Sequence, residues 1–129
     1  MRVLLDTHTF LWWCSDDPRL PIGLRRAISA KTTACWLSHA SVWEMAIKVS
    51  LGKLTLDRPV DAFVREQCEA NAFQLLPISL RHVCKVETLE WHHRDPFDRL
   101  LVAQSLLEDM TLATVDRDVA RYGVSVLCE

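Results

Sequence analysis

Five carboxylates in this chain stand where chemistry could be done: Asp6, Glu44, Asp95, Asp98 and Asp116. Asp6 ends the run Val3-Leu4-Leu5, and an apolar run without polar alternation reads as a strand buried on both faces, at the centre of a parallel sheet. Asp116 follows a second β-rich run at residues 111–115. Asp95, Pro96 and Asp98 read as the N-cap, first residue and first turn of a long helix. Glu44 lies on the polar stripe Ser41, Glu44 and Lys48 of a helical segment, residues 38–51, that is otherwise apolar almost all round. Several carboxylates within a few ångströms of one another cannot all stay ionised unless a cation is present or their pKa values rise. Oxygen donors without His or Cys spacing select Mg²⁺ or Mn²⁺ over zinc. Such ions suit hydrolysis of a phosphodiester, by activating water and stabilising the leaving oxygen.

Each acid also has a purely local reading. Asp6 can cap a helix that starts at Thr7. Ser41-Val42-Trp43-Glu44 fits a capping box, and Glu44 with Lys48 fits an i,i+4 ion pair. Acids at positions 95 and 98 favour a helix dipole. Convergence of the acids is what separates site from cap, and that depends on the elements carrying them.

Periodicity and turn signals predict helices over residues 7–14, 21–30, 38–51, 59–71, 79–87 and 96–109, with Pro21 and Pro96 at first helical positions and Gly52 as a left-handed cap. Strands are expected over residues 3–5, 32–37, 73–77, 111–115 and 124–127. Residues 88–94 lack periodicity and read as a loop into the acidic helix start. Phe63, Val64 and Ala70 are expected to face inward, as are residues 100–103 with Leu106 and Leu107. Alternating strands and helices imply an α/β fold, a three-layer α/β/α sandwich on a mainly parallel sheet with right-handed crossovers. Asp6 and Asp116 then leave strands at one edge of that sheet, where open α/β sheets place ligands. Glu44 and Asp98 lie near the starts of helices that begin at the same edge, so all four can face one pocket.

A chain of 129 residues, half hydrophobic and a quarter charged, suits a single globular domain spanning 1–129. No apolar run approaches a membrane span and no signal peptide is seen, so a cytoplasmic protein without membrane association is expected. Five scattered cysteines (Cys14, Cys35, Cys68, Cys84, Cys128) lack metal or redox spacing and read as free, mostly buried thiols. The net charge of −2 gives no nucleic-acid footprint by itself. Gathering four acids into one site would leave the remainder mildly basic, which suits a polyanionic substrate approaching a bound cation.

The segments Val3-Leu4-Leu5-Asp6-Thr7-His8, Ser41 to Lys48 with Leu51-Gly52-Lys53-Leu54, His93-Arg94-Asp95-Pro96-Phe97-Asp98 continuing to Gln104, and Thr114-Val115-Asp116-Arg117 resemble PIN-domain ribonucleases. Among these they are most similar to the VapC-type toxins of bacterial toxin–antitoxin pairs. The resemblance covers nearly the whole chain in order, and its third segment is the most specific. It implies a PIN-like fold and a Mg²⁺-dependent endoribonuclease, Mn²⁺ being an alternative ion. The acids at matching positions are Asp6, Glu44, Asp98 and Asp116, with Asp6, Asp98 and Asp116 holding the metal and Glu44 a ligand or an acid behind them. Asp95 is a fifth member or only a cap, and Thr7 and Thr114 match polar positions beside the acids. A VapB-like antitoxin and a homodimer are implied as partners, with RNA as substrate.

Lys48, Arg94, Arg99 and Arg117 are candidate phosphate contacts, against the plainer reading of solvated charge. His92 and His93, being adjacent, would not share a helical face, which argues against a joint metal site. His8 and His39 suit packing better than catalysis. The tryptophans at 12, 13, 36, 43 and 91 suit core or protein interface better than base stacking. An aspartate-nucleophile phosphatase would want an acid where His8 stands, and a receiver domain would want one near Leu76-Pro77-Ile78. A catalytically inert RNA- or protein-binding module on the same fold is the non-enzymatic alternative.

Overall fold

The computed structural model describes residues 1–127; Cys128, grouped above with the free thiols, lies outside them. The elements in order are β1 (Arg2–Leu5), α1 (Thr7–Cys14), α2 (Ile22–Ser29), β2 (Ala34–Ser38), α3 (His39–Ser50), α4 (Val60–Asn71), β3 (Gln74–Leu76), α5 (Leu80–Lys85), α6 (Pro96–Glu108), β4 (Thr111–Ala113) and β5 (Val126–Leu127). Short 3₁₀ turns lie at Val86–Thr88 and Arg117–Tyr122. The five strands form one sheet in the order β3-β2-β1-β4-β5, every pairing parallel. Among the described residues no helix is long and apolar enough to cross a membrane.

β1 is the axis of the sheet. Val3, Leu4 and Leu5 are completely buried, as a strand covered on both faces must be. Val3 and Leu5 join one core cluster with Phe10 of α1, Leu24 and Ile28 of α2, Met45 of α3, and Phe63 and Val64 of α4. Leu4 points the other way, into a cluster with Leu101, Val102 and Ala103 of α6 and with Leu112. The period-2 alternation of one strand thus divides the molecule into the three layers expected. Chain order runs outward from β1 to β2 and β3, then returns to β4 on the other side. The strand order therefore reverses at β1, and Asp6 follows it at that switch point.

Several local expectations are corrected. Pro21 and Pro59 are N-cap residues, one position ahead of their helices. Ala70 is exposed and Cys68 takes the inward place on α4, while Leu106 is exposed on α6. α3 is not apolar all round in burial: Trp43, Ala46 and Val49 face out, because only one stripe meets the sheet. Cys35 and Cys68 are buried as expected, but Cys84 is exposed. Gly52 does adopt the left-handed conformation, at φ 72°.

The sharpest correction concerns Arg99, a candidate phosphate contact by sequence. It is 2% exposed in the first turn of α6. Its guanidinium donates to the carbonyls of Glu90 (2.8 Å), Val86 (3.3 Å) and Leu89 (3.4 Å) and to the Tyr122 hydroxyl (3.0 Å). It also lies 3.8 Å from the Trp91 ring centroid. The planar fork therefore ties the turn at 86–91 to α6 and the 117–122 turn, a geometry a lysine cannot reproduce. Arg99→Lys is expected to cost about 2–3 kcal/mol, since charge-assisted hydrogen bonds are lost and carbonyls left unpaired. Urea unfolding of the variant beside wild type measures this.

Candidate active site

Each acid reaches the carboxyl edge of the sheet by way of a local hydrogen bond. Asp6 continues the sheet ladder through its backbone N–H to the Ala113 carbonyl (3.0 Å), while its Oδ1 accepts from the Thr9 N–H (2.8 Å) and caps α1. Asp116 accepts from the Asp118 N–H (2.9 Å), and its own N–H donates to the Thr114 hydroxyl (3.0 Å). Asp95 uses one oxygen to cap α6, accepting from Phe97 (2.9 Å) and Asp98 (3.1 Å). The capping and site readings are therefore compatible: for Asp6 and Asp116 a cap occupies Oδ1 and orients the carboxylate.

Glu44 lies in the second turn of α3 and is 7% exposed. Its Oε1 accepts from the Thr7 hydroxyl (2.5 Å) and its Oε2 meets Lys48 Nζ at 3.0 Å. The i,i+4 pair is thus present, but the capping box is not. Ser38 caps α3 by accepting from the Ala40 N–H (2.9 Å). Ser41 falls inside the helix, with its buried Oγ lacking a hydrogen-bond partner. The helix starts earlier than the motif suggests because Ser38, at the strand's end, supplies the cap.

Asp98 joins these residues electrostatically. Burial raises its pKa most, and the charges of Asp95, Asp6, Glu44 and Asp116 raise it further, to about 7. Asp6 is also raised, by burial, with hydrogen bonds from Thr114 and Thr9 opposing. Lys48 answers Glu44, whereas no lysine or arginine forms a salt bridge with Asp6, Asp98 or Asp116 among the described residues. An excess of oxygen donors over cations, with one acid held close to its protonated form, is the condition a hard divalent ion relieves.

Sequence reasoning missed His93. Its Nε2 lies 3.8 Å from Asp98 Oδ2 and 3.9 Å from Asp116 Oδ2, and one donor atom from each of the three residues falls within 4.8 Å of the others. The helical-face argument does not apply, because residues 88–94 form no helix beyond the end of the 3₁₀ turn. The usable signal was position: a loop that leads into a capped acid must itself end at the pocket. His92 instead packs edge-on against Tyr122, with centroids 4.8 Å apart. His8 and His39 are exposed, and His8 lies beside Trp12. Arg94 and Arg117 are exposed near the acids of their own segments. An open cleft of about 460 Å³ is lined by His8, Trp12, Asp17, Arg19, Lys48, Lys53 and Asp57 among others; it meets the acidic group only through His8, two residues from Asp6, and Lys48, the partner of Glu44.

The family model described as PIN domain matches residues 3–124. Among solved structures, VapBC2 from Rickettsia felis bound to a DNA fragment from its promoter is 14% identical, with a TM-score of 0.73 over 99% of this chain and 98% of that one. A toxin–antitoxin complex from Klebsiella pneumoniae is 17% identical, with a TM-score of 0.65 over 97% and 95%. The PIN domain endonuclease Utp24 is 18% identical, with a TM-score of 0.56 over 99% and 84%. No curated protein matches the chain significantly in sequence.

The raised Asp98 carboxyl has a measurable consequence for the metal-free protein. Unfolded, Asp98 releases its proton near the ordinary value of 3.8; folded, near 7. Ionisation between those limits favours the unfolded chain, so stability falls as pH rises from about 4 to about 7 and is level above, by up to roughly 4 kcal/mol. Asp98→Asn is expected to remove this loss, melting several degrees above wild type at pH 8 in EDTA but close to it at pH 4. Thermal melts at the two pH values test it.

Proposed function

The chain belongs to the PIN domain family, and from its acidic pocket we propose that it is a Mg²⁺-dependent endoribonuclease, the toxin of a toxin–antitoxin pair. The observation that carries this reading is the gathering of Asp6, Glu44, Asp98 and Asp116 at the carboxyl edge of the sheet, where Asp98 and Asp116 offer donor oxygens within 4.8 Å of each other; burial and the neighbouring carboxylates together raise the pKa of Asp98. In this reading Asp6, Asp98 and Asp116 hold the ion, with Glu44 a further ligand or an acid behind them. Mn²⁺ is an alternative ion. Bound there, a divalent ion supplies activation of water and charge stabilisation at a phosphodiester.

The chain's own residues do the rest. Thr7 and Lys48 fix the two oxygens of Glu44. Thr114 hydrogen-bonds to both the Asp6 carboxylate and the Asp116 backbone, joining the segments that follow β1 and β4. Asp95 orders the first turn of α6 and thereby aims Asp98. Lys53 on the neighbouring cleft attracts an RNA backbone that the acids alone would repel, whereas Lys48 and Arg19 there are paired with Glu44 and Asp17.

The Klebsiella neighbour is a toxin–antitoxin complex, and that supports a VapB-like antitoxin as partner here. We place the protein in the cytoplasm as a homodimer, where RNA and antitoxin would meet it. Exposed apolar groups support a protein partner: Trp43, 58% exposed, packs edge-on against Phe97 at 5.1 Å. Exposed patches of this kind mark contact surfaces.

Purified protein incubated with a mixed RNA pool in Mg²⁺, Mn²⁺ or EDTA tests the reaction, beside Asp6→Asn and Asp98→Asn. Metal-dependent cutting by wild type is expected, with each variant reduced by at least about 10²-fold. Equal cutting by all three would mark a contaminant, and no cutting despite Mg²⁺ binding would point to an inert binding module. Strong expression without antitoxin should arrest growth, and the Asp98→Asn gene should not.

A further inference from the structure

His93 stands in the acidic pocket without a role in the reading above, and the hydrogen bonds around Tyr122 say where its ring hydrogen lies. The Tyr122 hydroxyl oxygen accepts from the backbone N–H groups of His92 (3.3 Å) and His93 (3.2 Å) and from Arg99 Nη1 (3.0 Å). Any two of these donors fill both lone pairs of the hydroxyl oxygen, leaving no place for a further one from the imidazole. The hydroxyl must therefore donate, and His93 Nδ1 at 3.1 Å is a nearer acceptor than the His93 carbonyl at 3.3 Å. A neutral imidazole that accepts at Nδ1 carries its hydrogen on Nε2.

That Nε2 is buried and has no hydrogen-bond partner. It faces Asp98 and Asp116 at 3.8 and 3.9 Å, outside hydrogen-bond range of either. Proximity suggests a His-Asp-Asp metal triad, but the hydroxyl network opposes it. A histidine that binds a metal gives its other ring N–H away, whereas here the other ring nitrogen accepts. The hydrogen on Nε2 is instead unpaired beside the two acids, and a substrate oxygen meets it once the side chains that cover Nε2 move aside.

Resting on the nuclease reading, we propose that His93 is a catalytic residue whose Nε2–H donates to a non-bridging oxygen of the scissile RNA phosphate. A fixed donor aimed at that oxygen acts most strongly as negative charge gathers on it during displacement. Tyr122 is the positioning residue: it sets the tautomer, and Arg99 holds Tyr122.

Two measurements decide this. In ¹⁵N-histidine-labelled wild type, two-bond ¹⁵N–¹H correlation spectra should show His93 hydrogen on Nε2, both in EDTA and after Mg²⁺ addition. Loss of that hydrogen with a metal-type shift of Nε2 would make His93 a ligand and overturn the proposal. In RNA cleavage, His93→Ala should lower kcat by about 10²-fold, with KM and calorimetric Mg²⁺ affinity unchanged. His93→Gln, whose amide nitrogen falls near the place of Nε2, should recover part of the loss. Loss of cutting in Asp98→Asn but not in His93→Ala would overturn the proposal and leave the nuclease standing, whereas wild type that cuts no RNA would overturn both.

Discussion

Burial of carboxylates close to one another is the constraint around which this molecule is arranged. Asp6, Asp98 and Asp116 are drawn to one edge of the sheet, Glu44 is buried beside them, and the neighbouring charges act on Asp98. Such a group is unfavourable for folding, so the surrounding structure must be stable enough to carry it. The fully buried β1 and the two core clusters on its faces supply that stability. The carboxylates of Asp6, Glu44 and Asp116 are each tied down by an N–H, a hydroxyl or a lysine, which limits how far they can spread away from Asp98.

Much of this is legible in the chain. Val3, Leu4 and Leu5 with no polar break mean a strand buried on both faces, and Asp95-Pro96 marks the start of α6, because these signals are local and strong. The three-layer architecture follows from alternation of strands and helices. The strand order does not, since nothing local says on which side of β1 the chain returns; β4 settles there through packing of α6 over Leu4 and Leu112.

What stays illegible depends on contacts distant in sequence. Arg99 looks like surface charge until the carbonyls of the 86–90 turn are seen to converge on it. His93 looks like half of an idle pair until Tyr122, 29 residues on, is seen to hold its ring. Ser41 passes for a cap because the sequence offers two serines near the end of β2, and only the strand's length decides between them. The outward apolar residues of α3 pass for core, because composition cannot tell a buried stripe from one reserved for another surface.

The double duty of the acids bears on how such a chain changes over generations. Asp6, Asp95 and Asp116 each cap a helix or turn with a side-chain oxygen, and asparagine caps as well as aspartate does. An Asp codon becomes an Asn codon by one transition. A single base change at such a position therefore removes one charge from the acidic group while preserving the helix start, so charge there can be lost without loss of the fold.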